Sequence, residues 1–424
     1  MSDAPEAGAS VRCTGLARII DLGPDQFAQI WGEEPRHVAA RALPGPLRDS
    51  LPAPGPRDSS FADLFGPDDV DDLLSRRGLR TPFLRVARDG LTLPDADFTR
   101  GGGVGAAITD QLDDTALLRL FAQGHSLVLQ GLHRTHPPLL DFSQQLAADL
   151  GHPVQVNAYV TPAQSTGFSA HYDVHDVFVL QIAGEKRWRL HPPVLTHPLR
   201  DQPWQGHAEA VEQAASAPPH LEVTLQPGDT LYIPRGWLHS ATALGGVSTH
   251  VTVGVHVWHR GHLAEALLDR ARREVLTHEE QRTSLPPGVD VGDEDAIGDE
   301  VEQVRTALLE ALADVDAQQV AHALAARHRA GQRPAPVPPV ATVAAADEAL
   351  GHRLRPRPYL AARIERVDDG HLLISRAGRL PLDQEETRTV GRWLDGESVD
   401  LDDGLARRLL LAGVGTLPGL QGEG

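Results

Sequence analysis

The chain of 424 residues has one cysteine, Cys13. A single thiol excludes an internal disulfide framework and fits a reducing compartment. No stretch reaches the roughly 18 consecutive apolar residues of a membrane span. Residues 1–30 lack a basic flank followed by a long apolar run, so no signal peptide is expected and the expected location is cytoplasmic. Positive charge is scarce: 39 Lys and Arg face 58 Asp and Glu, a formal net charge of −19. Coating of duplex DNA needs clustered cations and is not expected, whereas a cationic protein partner is compatible with the balance. Lysine is nearly absent. Every cation except Lys186 is arginine, and Asn157 is the only asparagine. In a chain rich in Ala, Arg, Gly and Pro this reads as a mutational bias against both residues. Each lone survivor therefore raises a chemical question.

What the chain does have is core material, 41% hydrophobic residues, and length for two to three domains. A helix-like start lies around Phe27–His37, and the proline-rich stretch Leu43–Arg57 reads as loop. Helices are expected at 61–76, Asp113–Gln123 and Leu139–Leu150, and a short strand at Thr81–Val86. From Val154 the period becomes two: Val154, Val156, Ala158 and Val160 share one face, and Gln155, Asn157 and Tyr159 the other. Further strands are expected at Val177–Ala183, Arg187–Leu190, Leu221–Leu225, Thr230–Ile233 and Val247–Val257. The turn signals Ala183-Gly184-Glu185, Pro192-Pro193 and Pro227-Gly228-Asp229 separate them. Short strands at this spacing predict a sandwich or barrel. After His259 the period is helical, in Leu263–Val275, Glu300–Val315 and Gln318–Ala330. The acidic run Asp290–Glu302 reads as a solvated loop leading into a helix N-terminus. A proline-rich linker at Arg333–Val340 precedes a third module. There, Tyr359–Val367 and His371–Arg376 predict a hairpin, Asp383 caps a helix to Leu394, and Leu401–Ala412 forms another.

The chemistry gathers in the β region. In His171-Tyr172-Asp173 an imidazole and a carboxylate fall on one side of extended backbone. A third ligand is offered by His239, just beyond the strand end marked by Pro234-Arg235-Gly236. Two histidines and one carboxylate on one face of an octahedron form the facial triad of non-haem Fe(II) oxygenases. The same set can also serve a hydrolytic zinc. Lys186 weighs toward iron, because the distal carboxylate of 2-oxoglutarate needs a buried cation. Asn157 is a candidate amide donor to that carboxylate.

The motifs Asn157-Ala-Tyr159, His171-Tyr-Asp173-Val-His-Asp-Val-Phe178, Gly184-Glu-Lys186-Arg-Trp188, Pro227-Gly-Asp229 and His239 resemble the JmjC/cupin-4 family. Its best-known members are the ribosomal oxygenases, which hydroxylate histidine or arginine side chains of ribosomal proteins. Trp31-Gly-Glu-Glu-Pro35 is similar to the family's N-terminal motif. The resemblance implies a double-stranded β-helix (jelly-roll) catalytic domain over 1–259, a helical dimerisation region over 260–332 and a winged-helix-like α+β module over 341–424. It implies Fe(II) on His171, Asp173 and His239, with Lys186 and Asn157 on 2-oxoglutarate and Tyr159 beside cosubstrate and substrate. O2 is the second cosubstrate. A homodimer is expected, as the apolar helix faces of 260–332 also suggest. Histidine-hydroxylating members carry a polar residue at the position of Val128 and a serine at that of Gly254. The C-terminal module, with 11 cationic and 14 acidic residues, reads as a protein-contact or structural element rather than a DNA reader. Two rival functions use the same site: demethylation of N-methyl-lysine, and metal binding without turnover in a dimeric interaction protein.

Overall fold

The computed structural model describes residues 15–43 and 61–419, apart from 89, 106, 164, 166–168, 348–349, 351–352 and 369. The chain divides into two units, Met1–Val257 and Trp258–Glu423. Strands of the first unit are β1 (Arg36–Val38), β2 (Leu84–Arg88), β3 (Leu91–Thr92), β4 (Thr99–Arg100), β5 (Gln111–Leu112), β6 (Ser126–Leu129), β7 (Val154–Thr161), β8 (Asp176–His191), β9 (Leu221–Leu225), β10 (Thr230–Ile233) and β11 (Leu238–Val255). Its helices are α1 (Pro24–Ile30), α2 (Pro67–Ser75), α3 (Asp114–Ala122), α4 (Leu132–Thr135), α5 (Pro137–Leu150) and α6 (Ala208–Ala215). Apart from the β4–β5 ribbon, the strands form one antiparallel sheet in the order β1-β10-β8-β11-β7-β6-β2-β3, with β9 beside the second half of β8. This is the mainly-β jelly-roll core that the spacing and the resemblance predict.

Alternation along β8 builds two apolar layers. Phe178, Leu180 and Ile182 point into one cluster with Tyr232, Val251, Val253 and the α5 residues Leu139, Phe142 and Leu146. Val177 and Val179 point the other way, to Leu231, Ile233, Trp188 and Trp237. With both faces covered, the strand reads as a continuous apolar run rather than an alternating one. Each fully buried side chain of this size contributes about 1.5–3 kcal/mol. Helix α5 can form where it does because two prolines occupy its first turn and Gly151, at φ 69°, ends it.

Four local expectations change. The helix expected around Phe27–His37 stops at Ile30, because Gly32 turns the chain at φ 76° and Arg36–Val38 then pairs with β10. The helix expected at 61–76 begins only at Pro67. Ala183-Gly184-Glu185 does not separate two strands: Gly184, at φ 65°, bends one continuous β8. His239 follows the end of β10, as expected, but is already the second residue of β11. Of the Leu43–Arg57 loop only Leu43 lies among the described residues.

In the second unit, α7 (Arg260–Val275), α8 (Glu294–Ala313), α9 (Ala317–Ala330) and α10 (Pro339–Ala345) come first. Asp293 caps α8 through the Asp295 N–H, which accounts for the end of the acidic run. Short strands β12 (Arg355–Pro356) and β16 (Gly415–Thr416) pair with each other, and β13 (Arg363–Val367), β14 (Gly370–Ser375) and β15 (Gly378–Leu382) form a meander. Helices α11 (Gln384–Leu394) and α12 (Asp403–Leu411) complete a separate core of Leu373, Val390, Trp393, Leu405 and Leu409. Asp383 caps α11 by accepting from the Glu385 and Glu386 N–H groups, both at 2.8 Å. Among the described residues no helix is long and apolar enough to cross a membrane.

Candidate active site

His171, Asp173 and His239 converge, with one ligand atom of each lying within 4.8 Å of the others. Backbone pairing sets the spacing. The His171 N–H donates to the His239 carbonyl at 3.2 Å and the His239 N–H donates back at 2.8 Å, as an isolated antiparallel bridge. The two rings consequently sit 4.4 Å apart. Each Nδ1 lies against a main-chain carbonyl, His171 on Ser169 at 2.8 Å and His239 on Trp237 at 3.1 Å. Those bonds place the ring proton on Nδ1 and leave Nε2 unprotonated, the tautomer a metal requires. His239 Nε2 lies 3.7 Å from Asp173 Oδ2.

The electrostatics suit a cation. Burial alone pushes the Asp173 carboxyl up, but His175, His239, His171 and Arg85 outweigh it and hold it below the usual range. Burial, helped by His171, pushes His239 down to about 4, so its imidazole is neutral near pH 7. A neutral His239 imidazole and an ionised Asp173 carboxylate are the metal-ready forms of these two side chains.

The turn that launches β11 is braced from three sides. Buried Asp176 accepts from the Tyr232 hydroxyl at 2.5 Å and from the Arg235 N–H at 3.1 Å. The Gly236 N–H donates to the Asp173 carbonyl at 3.0 Å. A Cβ on Gly236 would lie 2.7 Å from the Leu195 carbonyl, and its φ is 88°, so glycine is required there. The Trp31-Gly-Glu-Glu-Pro35 motif supplies the third brace. The Gly32 N–H donates to the Tyr232 hydroxyl at 2.8 Å, and the Glu33 carbonyl accepts from Trp237 Nε1 at 2.9 Å.

A cavity of about 330 Å³ joins this cluster to Lys186. Lys186 is 4% exposed. Its Nζ donates to Thr161 Oγ1 at 3.1 Å and lies 3.5 Å from His250 Nδ1. Among the described residues no carboxylate pairs with it, and burial pushes its ammonium down to about 7. A cation buried this way, with only neutral neighbours, is built for an anion that comes from outside.

Of the residues singled out from the sequence, His171, Asp173, His239, Lys186 and Tyr159 line this one cavity. Asn157 does not: its Oδ1 accepts from the Gly131 N–H at 3.1 Å, and four residues of strand separate it from Thr161. At about 3.3 Å per residue that is roughly 13 Å along β7. Thr161 holds the position beside Lys186 instead, an outcome that the period-two pattern from Asn157 through Tyr159 contains but does not rank. His250 is buried yet faces the cavity and stacks on Tyr159 at 4.9 Å. Arg85 also lines the cavity, and nothing in the sequence around it marks it. Val128 is fully buried on β6, and a Cβ on Gly254 would lie 2.7 Å from the His175 ring.

The profile of the JmjC domain family matches residues 138–263. Ribosomal oxygenase 2 of Bos taurus is 42% identical over 115 residues, which cover 27% of this chain and 23% of that protein. The bifunctional lysine-specific demethylase and histidyl-hydroxylase NO66 of Drosophila persimilis is 38% identical over 104 residues, 24% of this chain and 14% of that protein. The matches thus span less than a quarter of either relative's length. The X-ray structure of Escherichia coli ycfD is 16% identical, with a TM-score of 0.52 over 93% of this chain and 98% of that one, a likeness of fold. The matched profile encloses His171, Asp173, Lys186 and His239, so this segment of the chain is similar to a JmjC domain.

Proposed function

We propose that the protein is an Fe(II)- and 2-oxoglutarate-dependent dioxygenase that hydroxylates a side chain of a ribosomal protein. The observation that carries this reading is Lys186, buried without a carboxylate partner in the same cavity as the His171–Asp173–His239 cluster. Hydrolysis at zinc does not by itself call for such a cation, whereas a dicarboxylate cosubstrate does. The names of the two relatives above, a ribosomal oxygenase and a bifunctional lysine-specific demethylase and histidyl-hydroxylase, support oxygenase chemistry, the second naming demethylation beside hydroxylation.

The donor set fits iron: two Nε2 atoms whose rings are oriented through Nδ1, and one ionised carboxylate. When bound, Fe(II) with 2-oxoglutarate and O2 supplies the oxidation, in which one oxygen atom enters a C–H bond and the other leaves in succinate, with release of CO2. His171, Asp173 and His239 hold one face of the metal. Lys186 and Thr161 receive the distal carboxylate, and the aromatic wall of Tyr159 and Trp188 keeps water from it. No side chain needs to act as general base. Asn157 positions Gly131 rather than the cosubstrate. The division into a catalytic domain at 1–259, a helical region at 260–332 that makes a homodimer, and a C-terminal protein-contact module at 341–424 belongs to the same reading. A cytoplasmic location belongs to the same reading, as a ribosomal substrate would support.

The test is succinate formation by the full chain with iron, ascorbate and 2-oxoglutarate, without a protein substrate. Turnover is expected in the wild type. It should fall at least a hundredfold in His171→Ala and His239→Ala, with circular dichroism unchanged. Near-normal turnover in either variant rejects the triad. Mass spectrometry of ribosomal proteins from a deletion strain should show the loss of one oxygen-mass increment.

A further inference from the structure

Arg85 stands on β2 with its side chain on the cavity wall. It pairs across the sheet with Val128, Val128 with Tyr159, and Tyr159 with His250, so the four lie in one row across β2, β6, β7 and β11. Directly opposed residues of antiparallel strands share a face. Val128 is fully buried and offers no polar atom, which leaves Arg85 and Tyr159 as the polar members at that end of the row. The Nε of Arg85 is buried without a hydrogen-bond partner, and among the described residues no ion pair reaches the guanidinium. Elsewhere the chain pairs its arginines readily, as in Arg18–Asp63, Arg36–Asp21 and Arg189–Glu222. With 58 acidic residues available, an unpaired arginine at the cavity needs a reason. Its charge is felt inside: it lowers the pKa of both Asp173 and Tyr159, against burial that raises them.

Charge counting shows what is left for a substrate. This step rests on the oxygenase reading above. Fe(II) with Asp173 carries one positive charge, 2-oxoglutarate brings two negative, and Lys186 restores neutrality. Among the described residues of the cavity wall, Arg85 is then the one uncompensated charge. A cationic side chain entering toward the metal would be repelled by it, while a peptide carbonyl oxygen would satisfy its orphaned Nε donor.

We propose that Arg85 is a specificity-determining residue: it binds a carbonyl oxygen of the incoming polypeptide and admits a neutral target side chain, such as histidine, while rejecting arginine and N-methyl-lysine.

The experiment starts from ribosomal proteins of a deletion strain, incubated with the full-length protein, Fe(II), 2-oxoglutarate and O2, and maps the residue that gains one oxygen. A peptide of that sequence, and versions with Arg or N-methyl-lysine at the target position, are then titrated calorimetrically, without O2, into Mn(II)- and 2-oxoglutarate-loaded protein. The modified residue should be neutral, and the wild type should bind its peptide at least tenfold tighter than the cationic versions. Arg85→Gln should weaken the neutral peptide about tenfold and erase the preference. It should leave 2-oxoglutarate affinity within twofold and the melting temperature no lower, since the buried, unpartnered Nε is removed with the guanidinium. A modified Arg or Lys, an intact preference in Arg85→Gln, or a tenfold loss of 2-oxoglutarate affinity overturns the inference, the last by making Arg85 a cosubstrate residue. A drop in melting temperature would make it structural and overturns it equally. Absence of any succinate from the wild type instead overturns the oxygenase reading itself.

Discussion

A lysine that is 4% exposed and faces only a hydroxyl and an imidazole is held at the expense of stability until an anion arrives. Its ammonium is pushed from the ordinary 10.5 down to about 7 by burial. Between those values the unfolded chain keeps a proton that the folded chain has lost. The unfolded state then binds more protons, so stability of the ligand-free protein rises with pH across that window. Each pH unit inside it is worth at most about 1.4 kcal/mol. Lys186→Met should therefore be more stable than the wild type near pH 7, by about 2–4 kcal/mol, and the gap should close as the pH approaches 10. Denaturant melts of both proteins at pH 7 and pH 9 check this. A constant difference would mean that Lys186 keeps its proton when folded. The same variant should lose 2-oxoglutarate affinity by roughly two to three and a half decades, as for a broken buried ion pair of about 3–5 kcal/mol. Composition together with the spacing from His171 marked out the lone lysine, and it lines the same cavity as the His171–Asp173–His239 cluster. Thr161 was not marked out, because a threonine at a strand end is common and only the β8 register places Lys186 against it.

At the scale of the element, β8 shows where local signals mislead. Gly184 reads as a turn residue, and its φ of 65° is indeed that of a turn, yet the ladder with β11 resumes on either side of it. Gln181, fully buried, holds the bend by donating to the carbonyls of Ala183 and Gly184, both at 3.0 Å. A Cβ at 184 would come within 2.2 Å of the Val247 carbonyl oxygen. Gly184→Ala combines left-handed strain of about 1–2 kcal/mol with overlap of a backbone atom that cannot swing away. A total loss of roughly 3 kcal/mol or more is expected. Because Lys186 lies two residues beyond the bend, weaker 2-oxoglutarate binding should accompany the lower melting temperature. An unchanged melting temperature would show that the strand can flatten there. Patterns confined to one element, such as the faces of β7 or the Asp383 cap of α11, were legible in the sequence. Arg85 was not: β2 carries it among four other residues of a short half-buried strand, and its place on the cavity depends on two successive strand registers.

For the molecule as a whole, the second unit has a helix that no described residue of the chain buries. Helix α8 is 20 residues long with no buried residue, and α9 has none among its 14. Val301, Val304 and Leu309 of α8 are each more than 40% exposed. Positions 301, 304 and 308–309 follow the i, i+3, i+4 spacing of an apolar stripe, which normally faces a core. Long helices owe most of their stability to such packing rather than to propensity. We propose a second copy of this chain as the partner of the stripe, since a two-fold interface presents the same surface from both sides. Light scattering at micromolar concentration should give twice the chain mass, and the melting temperature should rise with protein concentration because folding and association are linked. Val301→Glu combined with Leu309→Glu should yield the single-chain mass and remove the concentration dependence. The intact protein would then melt above the doubly substituted one at high concentration, and the two would converge on dilution. A single-chain mass for the wild type, or a dimer that survives both glutamates, would place the contact elsewhere and leave the exposed stripe of α8 without this role.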